Sequence, residues 1–116
     1  MTTAALAWAR AFALTLGVEL LVAPPLLGPP ASRARRVAAP GLANLASHPL
    51  VWLVIPELGL PWPAWVVVAE LWAFTVEAAS YTLILGRPRR ALVAALCANV
   101  VSLGVGLALR RAGFPL

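Results

Sequence analysis

Four long apolar runs leave this chain few ways to fold. They extend from about Ala4 to Leu27, Val37 to Pro56, Trp62 to Gly86 and Ala91 to Leu109. A helix needs about 20 mainly apolar residues to cross a bilayer. Backbone groups in lipid must be satisfied within the chain, and the alternation of barrel strands is absent here. The runs therefore predict an all-α integral membrane protein with four transmembrane helices. Composition agrees: 62% of residues are hydrophobic and 11% charged, against roughly 45–50% and 25% in soluble domains. The 116 residues leave room for a single membrane domain, 1–116, and little mass outside it.

Breaks in the pattern mark the connections. Gly28-Pro29-Pro30-Ala31-Ser32 follows the first run, Pro56 through Pro63 stiffens the turn after the second, and Gly86-Arg87-Pro88 follows the third. Arg33, Arg35 and Arg36 fall in the first connection and Arg87, Arg89 and Arg90 in the third. Four spans put these two loops on one side, facing Arg10, Arg110 and Arg111 on the other. The positive-inside rule then predicts cytoplasmic arginine loops and both termini outside, in a bacterial-type inner (plasma) membrane. Trp8, Trp62, Trp65 and Phe114 fall at the outer interface, where amphipathic rings anchor. The first run has its basic cluster after it, the reverse of a secretory signal, and reads as a retained helix. The net charge of +5 sits in short loop clusters rather than on a folded basic face, so no nucleic-acid partner is expected. The lone Cys97 reads as a small buried hydrophobe.

Within these runs sit two glutamates. A charge at mid-membrane costs roughly 2.5–3.5 kcal/mol on insertion scales, so such residues face the protein interior and mark functional sites. The shift that carries Glu19 onto Glu77 also carries Val18, Leu27, Gly28 and Pro30 onto Val76, Leu85, Gly86 and Pro88. With the basic loop shortened by three residues, Asn44 and Ser47 land on Asn99 and Ser102. The chain thus reads as two tandem parallel helical hairpins, about 4–60 and 61–116, with pseudo-twofold symmetry along the membrane normal.

At about 1.5 Å per residue, each glutamate lies roughly 13 Å from the end of its helix, close to mid-bilayer. Asn44 and Asn99 each have a serine three residues on, hence on the same face. Each hairpin is therefore expected to bring a carboxyl, an amide and a hydroxyl together. The first hairpin adds His48-Pro49, with Asn44, Ser47 and His48 sharing a face. The second adds Glu70 and Tyr81, on the side of Glu77. The expected ion- or substrate-binding set is Glu19, Glu77, Glu70, His48, Asn44, Asn99 and Tyr81, supported by Ser47 and Ser102. Glu57 belongs to the outer turn and should be solvated. Arg10, the only cation among the spans, should snorkel outward.

No lysine accompanies these acids. Protons, a bound cation or a charged His48 must balance them in a low dielectric. A bound cation is the cofactor these residues suggest, and any other is unknown. The identity of any metal stays open, since one His without a cysteine partner is a weak ligand set. Three functions follow. The first is a carrier or channel for protons, a cation or a small protonatable solute. The second is a non-catalytic subunit of a larger membrane complex, with the polar residues as packing glue. The third is an intramembrane enzyme acting on lipid or peptide, with His48 and a glutamate as acid and base. The expected partners are the lipid bilayer and either further copies of this chain or a larger complex. Ser102, Gly104 and Gly106 offer a small-residue face for helix contact.

Overall fold

A computed structural model describes residues 2–29 and 31–115, so Pro30, one of the repeat matches, lies outside the described residues. The described chain is helical: α1 (Thr3–Leu27), α2 (Arg33–Leu53), a 3-10 turn (Ile55–Leu58), α3 (Trp62–Leu85) and α4 (Pro88–Arg111). All four long helices are long and apolar enough to cross a membrane.

Local chemistry sets the boundaries. The Thr2 hydroxyl accepts from the Ala5 N–H at 3.2 Å and starts α1. Ser32 does the same for Arg35 at 3.2 Å. With that cap, α2 begins at Arg33 instead of near Val37, taking the basic residues into its first turn. Likewise α4 begins at Pro88 instead of near Ala91, because proline's fixed φ and missing N–H suit a first turn. The second span stops short of Pro56, which joins the separate 3-10 turn. Gly86 closes α3 in the left-handed region at φ 68°, its N–H bonded to the Thr82 carbonyl at 2.8 Å.

Around the bundle, α1 packs on α2 and α4, and α3 packs on the same two. The first and third helices therefore face each other across a diagonal. The molecule measures 41 × 27 × 25 Å, long enough for a hydrocarbon core of about 30 Å. Its outer surface is apolar, with Leu21 at 78% and Leu83 at 86% exposure.

The two ends of the bundle pack differently. Toward the arginine loops the core is a layer of small residues from all four helices: Ala23, Ala39, Ala43, Ala78, Ala94 and Ala98 are buried there, sealed by Leu27 and Tyr81. Small side chains let helix backbones approach closely. At this end the arginines fold back on the C-terminus of α1. Arg36 Nη1 donates to the Pro24 carbonyl at 3.4 Å, and Arg87 donates to the Pro29 carbonyl. The Arg90 guanidinium covers Gly28, where any Cβ would collide with it. At the opposite end Arg10 is exposed and donates to the Pro115 carbonyl at 3.3 Å. Glu57 is exposed, as its turn position implies.

Two packing expectations need correction. Gly106 faces α1, a Cβ there meeting Leu14 at 3.9 Å, but Gly104 is exposed and faces no neighbour. Glycines two apart lie on different sides of a helix, so the small-residue face is narrower than the sequence suggests. Cys97 is only partly buried.

Candidate functional site

The diagonal between α1 and α3 is bridged by acids. Glu19 and Glu77 are both fully buried, and their carboxyl groups are close neighbours. Each accepts from an asparagine on the helix that follows it in sequence. Asn44 Nδ2 donates to Glu19 Oε2 at 2.5 Å, and Asn99 Nδ2 donates to Glu77 Oε2. Both amides also reach back one turn along their own helix, Asn44 to the Pro40 carbonyl at 2.9 Å and Asn99 to the Ala95 carbonyl at 2.8 Å. That second bond fixes the amide's orientation, so the NH2 group must point at the acid.

The hydroxyl partner differs from expectation. The Tyr81 hydroxyl, not a serine, donates to Glu19 Oε2, at 3.4 Å. It comes from α3, so it ties the first acid to the helix carrying the second. Ser102 instead pairs with Thr15 of α1 at 3.4 Å. Ser47 Oγ, although fully buried, has no partner. Its backbone carbonyl accepts from Trp72 Nε1 at 3.2 Å.

A cavity of about 220 Å³ runs into the bundle from the end that carries Trp62 and Arg110. Asn44, Glu77 and Asn99 lie deepest along it, and the alanine layer closes the bundle beyond them. Glu70, His48, Ser47 and Ser102 also line it. Of the nine residues expected from sequence, seven therefore line the cavity. The other two, Glu19 and Tyr81, lie behind its floor and join it through Glu77 and Asn44. The two glutamates are thus unequal: Glu77 meets the cavity, and Glu19 is reached through it.

The walls contain residues that sequence reasoning missed. Trp52 lines the cavity one turn beyond His48, a spacing that could have flagged it. Thr15 lines it one turn before Glu19 on α1. Trp62 and Trp65, expected as interface anchors, line the cavity near its mouth. Arg110 stacks on the Trp62 ring there, 5.2 Å from its centroid. His48 packs edge-on against Phe12, with ring centroids 5.0 Å apart at 88°. Its Nδ1 has no hydrogen-bond partner, and among the described residues no hydrogen bond joins it to a carboxyl.

Besides His48 Nδ1 and, near the arginine loops, Arg36 Nε, the unpartnered buried side-chain atoms among the described residues are oxygens. Glu19 Oε1, Glu77 Oε1, Asn44 Oδ1 and Ser47 Oγ are buried oxygens with no hydrogen-bond partner. Buried polar groups are normally satisfied, so such a set calls for water, protons or a ligand. Among the described residues, no three His, Cys, Asp or Glu side chains come together as metal ligands. Comparison with known proteins finds no matching family, no matching curated protein and no matching solved structure.

Proposed function

We propose that this chain is a small multi-pass membrane carrier that exchanges protons, a cation or a small protonatable solute at the Glu19–Glu77 pair. One observation carries the reading: two fully buried, neighbouring carboxyls lie at the blind end of a cavity open to one side, Glu77 lining it and Glu19 behind it. No ion pair with an arginine, and no histidine bond, balances them among the described residues. Two carboxylates in contact in a low dielectric repel strongly, so the pair holds a proton or takes a cation. Intramembrane acids in this position are typical of relays and carriers.

In this reading the helices lie across the bilayer, with the arginine loops cytoplasmic and both ends of the chain outside. The cavity then opens outward, and the alanine layer under Glu19 and Tyr81 is the closed inner side. The two hairpins form a tandem repeat about a pseudo-twofold axis along the membrane normal. Supporting this, α1 and α3 sit on one diagonal, and the two acid–asparagine pairs make the same bonds to the same relative carbonyls. Rocking one hairpin against the other would close the tryptophan end and part the alanine layer, as repeat-built carriers do. Further copies of the chain, or a larger membrane complex, would cover the apolar outer surface.

Liposomes containing the protein and a pH-sensitive dye test the proposal. Wild type should carry protons or cation-coupled protons, and Glu19→Gln and Glu77→Gln should each slow that flux at least tenfold. Equal rates in wild type, both variants and protein-free liposomes would instead leave the buried network a packing device in a larger complex.

A further inference from the structure

The cavity's shape and chemistry narrow what it would carry, given the carrier reading above. At about 30 Å³ per water, its volume of about 220 Å³ corresponds to roughly seven waters. That is far more room than a bare ion needs. The walls are largely apolar, from Leu14, Val51, Val66 and Leu103 with the rings of Trp52 and Trp65. Such walls solvate a hydrated inorganic ion poorly, whereas an apolar cleft with a few convergent polar groups suits an organic molecule.

The polar end is specific in its own way. Glu77 Oε1, Asn44 Oδ1 and Ser47 Oγ are unpartnered, and all three residues are fully buried and line the cavity. The Asn44 and Asn99 NH2 groups already donate to the glutamates and to their own helices. What remains unpartnered on the floor is therefore a carboxyl oxygen, an amide oxygen and a hydroxyl, each able to accept. A primary ammonium offers three N–H donors and one positive charge. It matches that set where a hydroxyl lacks the charge and a quaternary ammonium lacks the donors. The tryptophan faces above can hold the cation's apolar body and attract its charge. Among the described residues the one arginine on the cavity is Arg110, which stays at the mouth on Trp62, away from the floor.

We infer that the cavity binds a primary alkyl- or arylammonium ion, head down on Glu77, Asn44 and Ser47, with an apolar body about the size of one aromatic ring among the tryptophans. Entry of the ammonium releases the proton held by the Glu19–Glu77 pair, so one positive charge replaces another.

Titration of the detergent-solubilised full chain with benzylamine, followed by tryptophan fluorescence and calorimetry, tests this. Saturable binding is expected, with benzyl alcohol and benzyltrimethylammonium each at least tenfold weaker. That ranking is read in the wild-type protein and does not depend on any variant folding. Glu77→Gln should abolish benzylamine binding, and Trp52→Leu should weaken it several-fold. Equal affinity for all three compounds, or no binding of benzylamine, overturns the inference. In parallel liposomes, glutamate-dependent proton flux without benzylamine binding would sink the amine and leave the carrier reading intact. Benzylamine binding without any flux would do the reverse.

Discussion

Removing the Asn44 amide should loosen the bundle by an amount the geometry sets. Asn44 is fully buried and donates to Glu19 Oε2 at 2.5 Å and to the Pro40 carbonyl at 2.9 Å. Hydrogen bonds between membrane helices average about 0.6 kcal/mol and reach about 1.7 kcal/mol, and bonds to charged groups in proteins reach about 1.5–3 kcal/mol. After Asn44→Ala, Glu19 Oε2 would keep only the Tyr81 hydroxyl at 3.4 Å, which is long for an O–H···O bond. The expected cost is about 1–3 kcal/mol. Glu19→Met removes the acceptor while keeping an unbranched chain of similar length. Unfolding of each variant and of the double mutant in mixed micelles, followed by circular dichroism, gives the coupling energy. It should be about 1–2 kcal/mol, within the range for residues in direct contact. Pairing Asn44→Ala with Arg10→Ala, at the far end of the bundle, should give additive effects within about 0.5 kcal/mol. Coupling between Asn44 and Glu19 no larger than in that control would refute the bond and the placement of α2 against α1.

Other perturbations probe the ends of the site. Tyr81→Phe deletes one long bond and no packing, so it should cost under about 1 kcal/mol and slow flux much less than Glu77→Gln in the same liposomes. Gly28→Ala should destabilise the protein by about 1–3 kcal/mol: φ 59° and ψ 175° form a region nearly restricted to glycine, and the new Cβ displaces the Arg90 guanidinium. Thermal unfolding in detergent reads that cost. In a Cys97→Ser background, Leu103→Cys should react quickly with a membrane-impermeant thiol reagent. Ala95→Cys, in the sealed layer, should resist it; equal labelling would mean that the alanine layer does not close the bundle.

Much of this arrangement is legible in the residue pattern because the bilayer allows so few alternatives. Runs of about twenty apolar residues broken by Gly and Pro predict four long helices, and four long helices are found among the described residues. Helical spacing alone put Asn44 on the face of Ser47 and His48, and all three line the cavity. Matching Glu19 with Glu77, and Asn44 with Asn99, anticipated which acid would meet which amide. What failed depended on partners that one helix cannot reveal. Whether a serine or a tyrosine reaches Glu19 depends on how far α3 leans toward α1, and spacing along one helix does not fix that. Tryptophans at a helix end look the same whether they face lipid or a cavity, so the spacing did not show that Trp62 and Trp65 also line the cavity. Helix starts slipped by four residues where an arginine-rich first turn followed the Ser32 cap, and by three where Pro88 opens α4.

The contact between the two acids can be measured directly, because the chain contains only four acidic residues and all are glutamates. Protein carrying carbon-13 at the glutamate side-chain carboxyl, reconstituted in bilayers, would give four carboxyl signals by solid-state NMR, assigned by Glu→Gln substitution. A hydrogen-bonded pair places its carboxyl carbons within about 5 Å of each other. A strong cross-peak between Glu19 and Glu77, and none from Glu57 to either, is the expected result. Glu19 and Glu77 signals with no cross-peak between them, in protein whose Glu70 and Glu77 signals are otherwise well resolved, would show two separate acids and contradict an exchange site built on their contact.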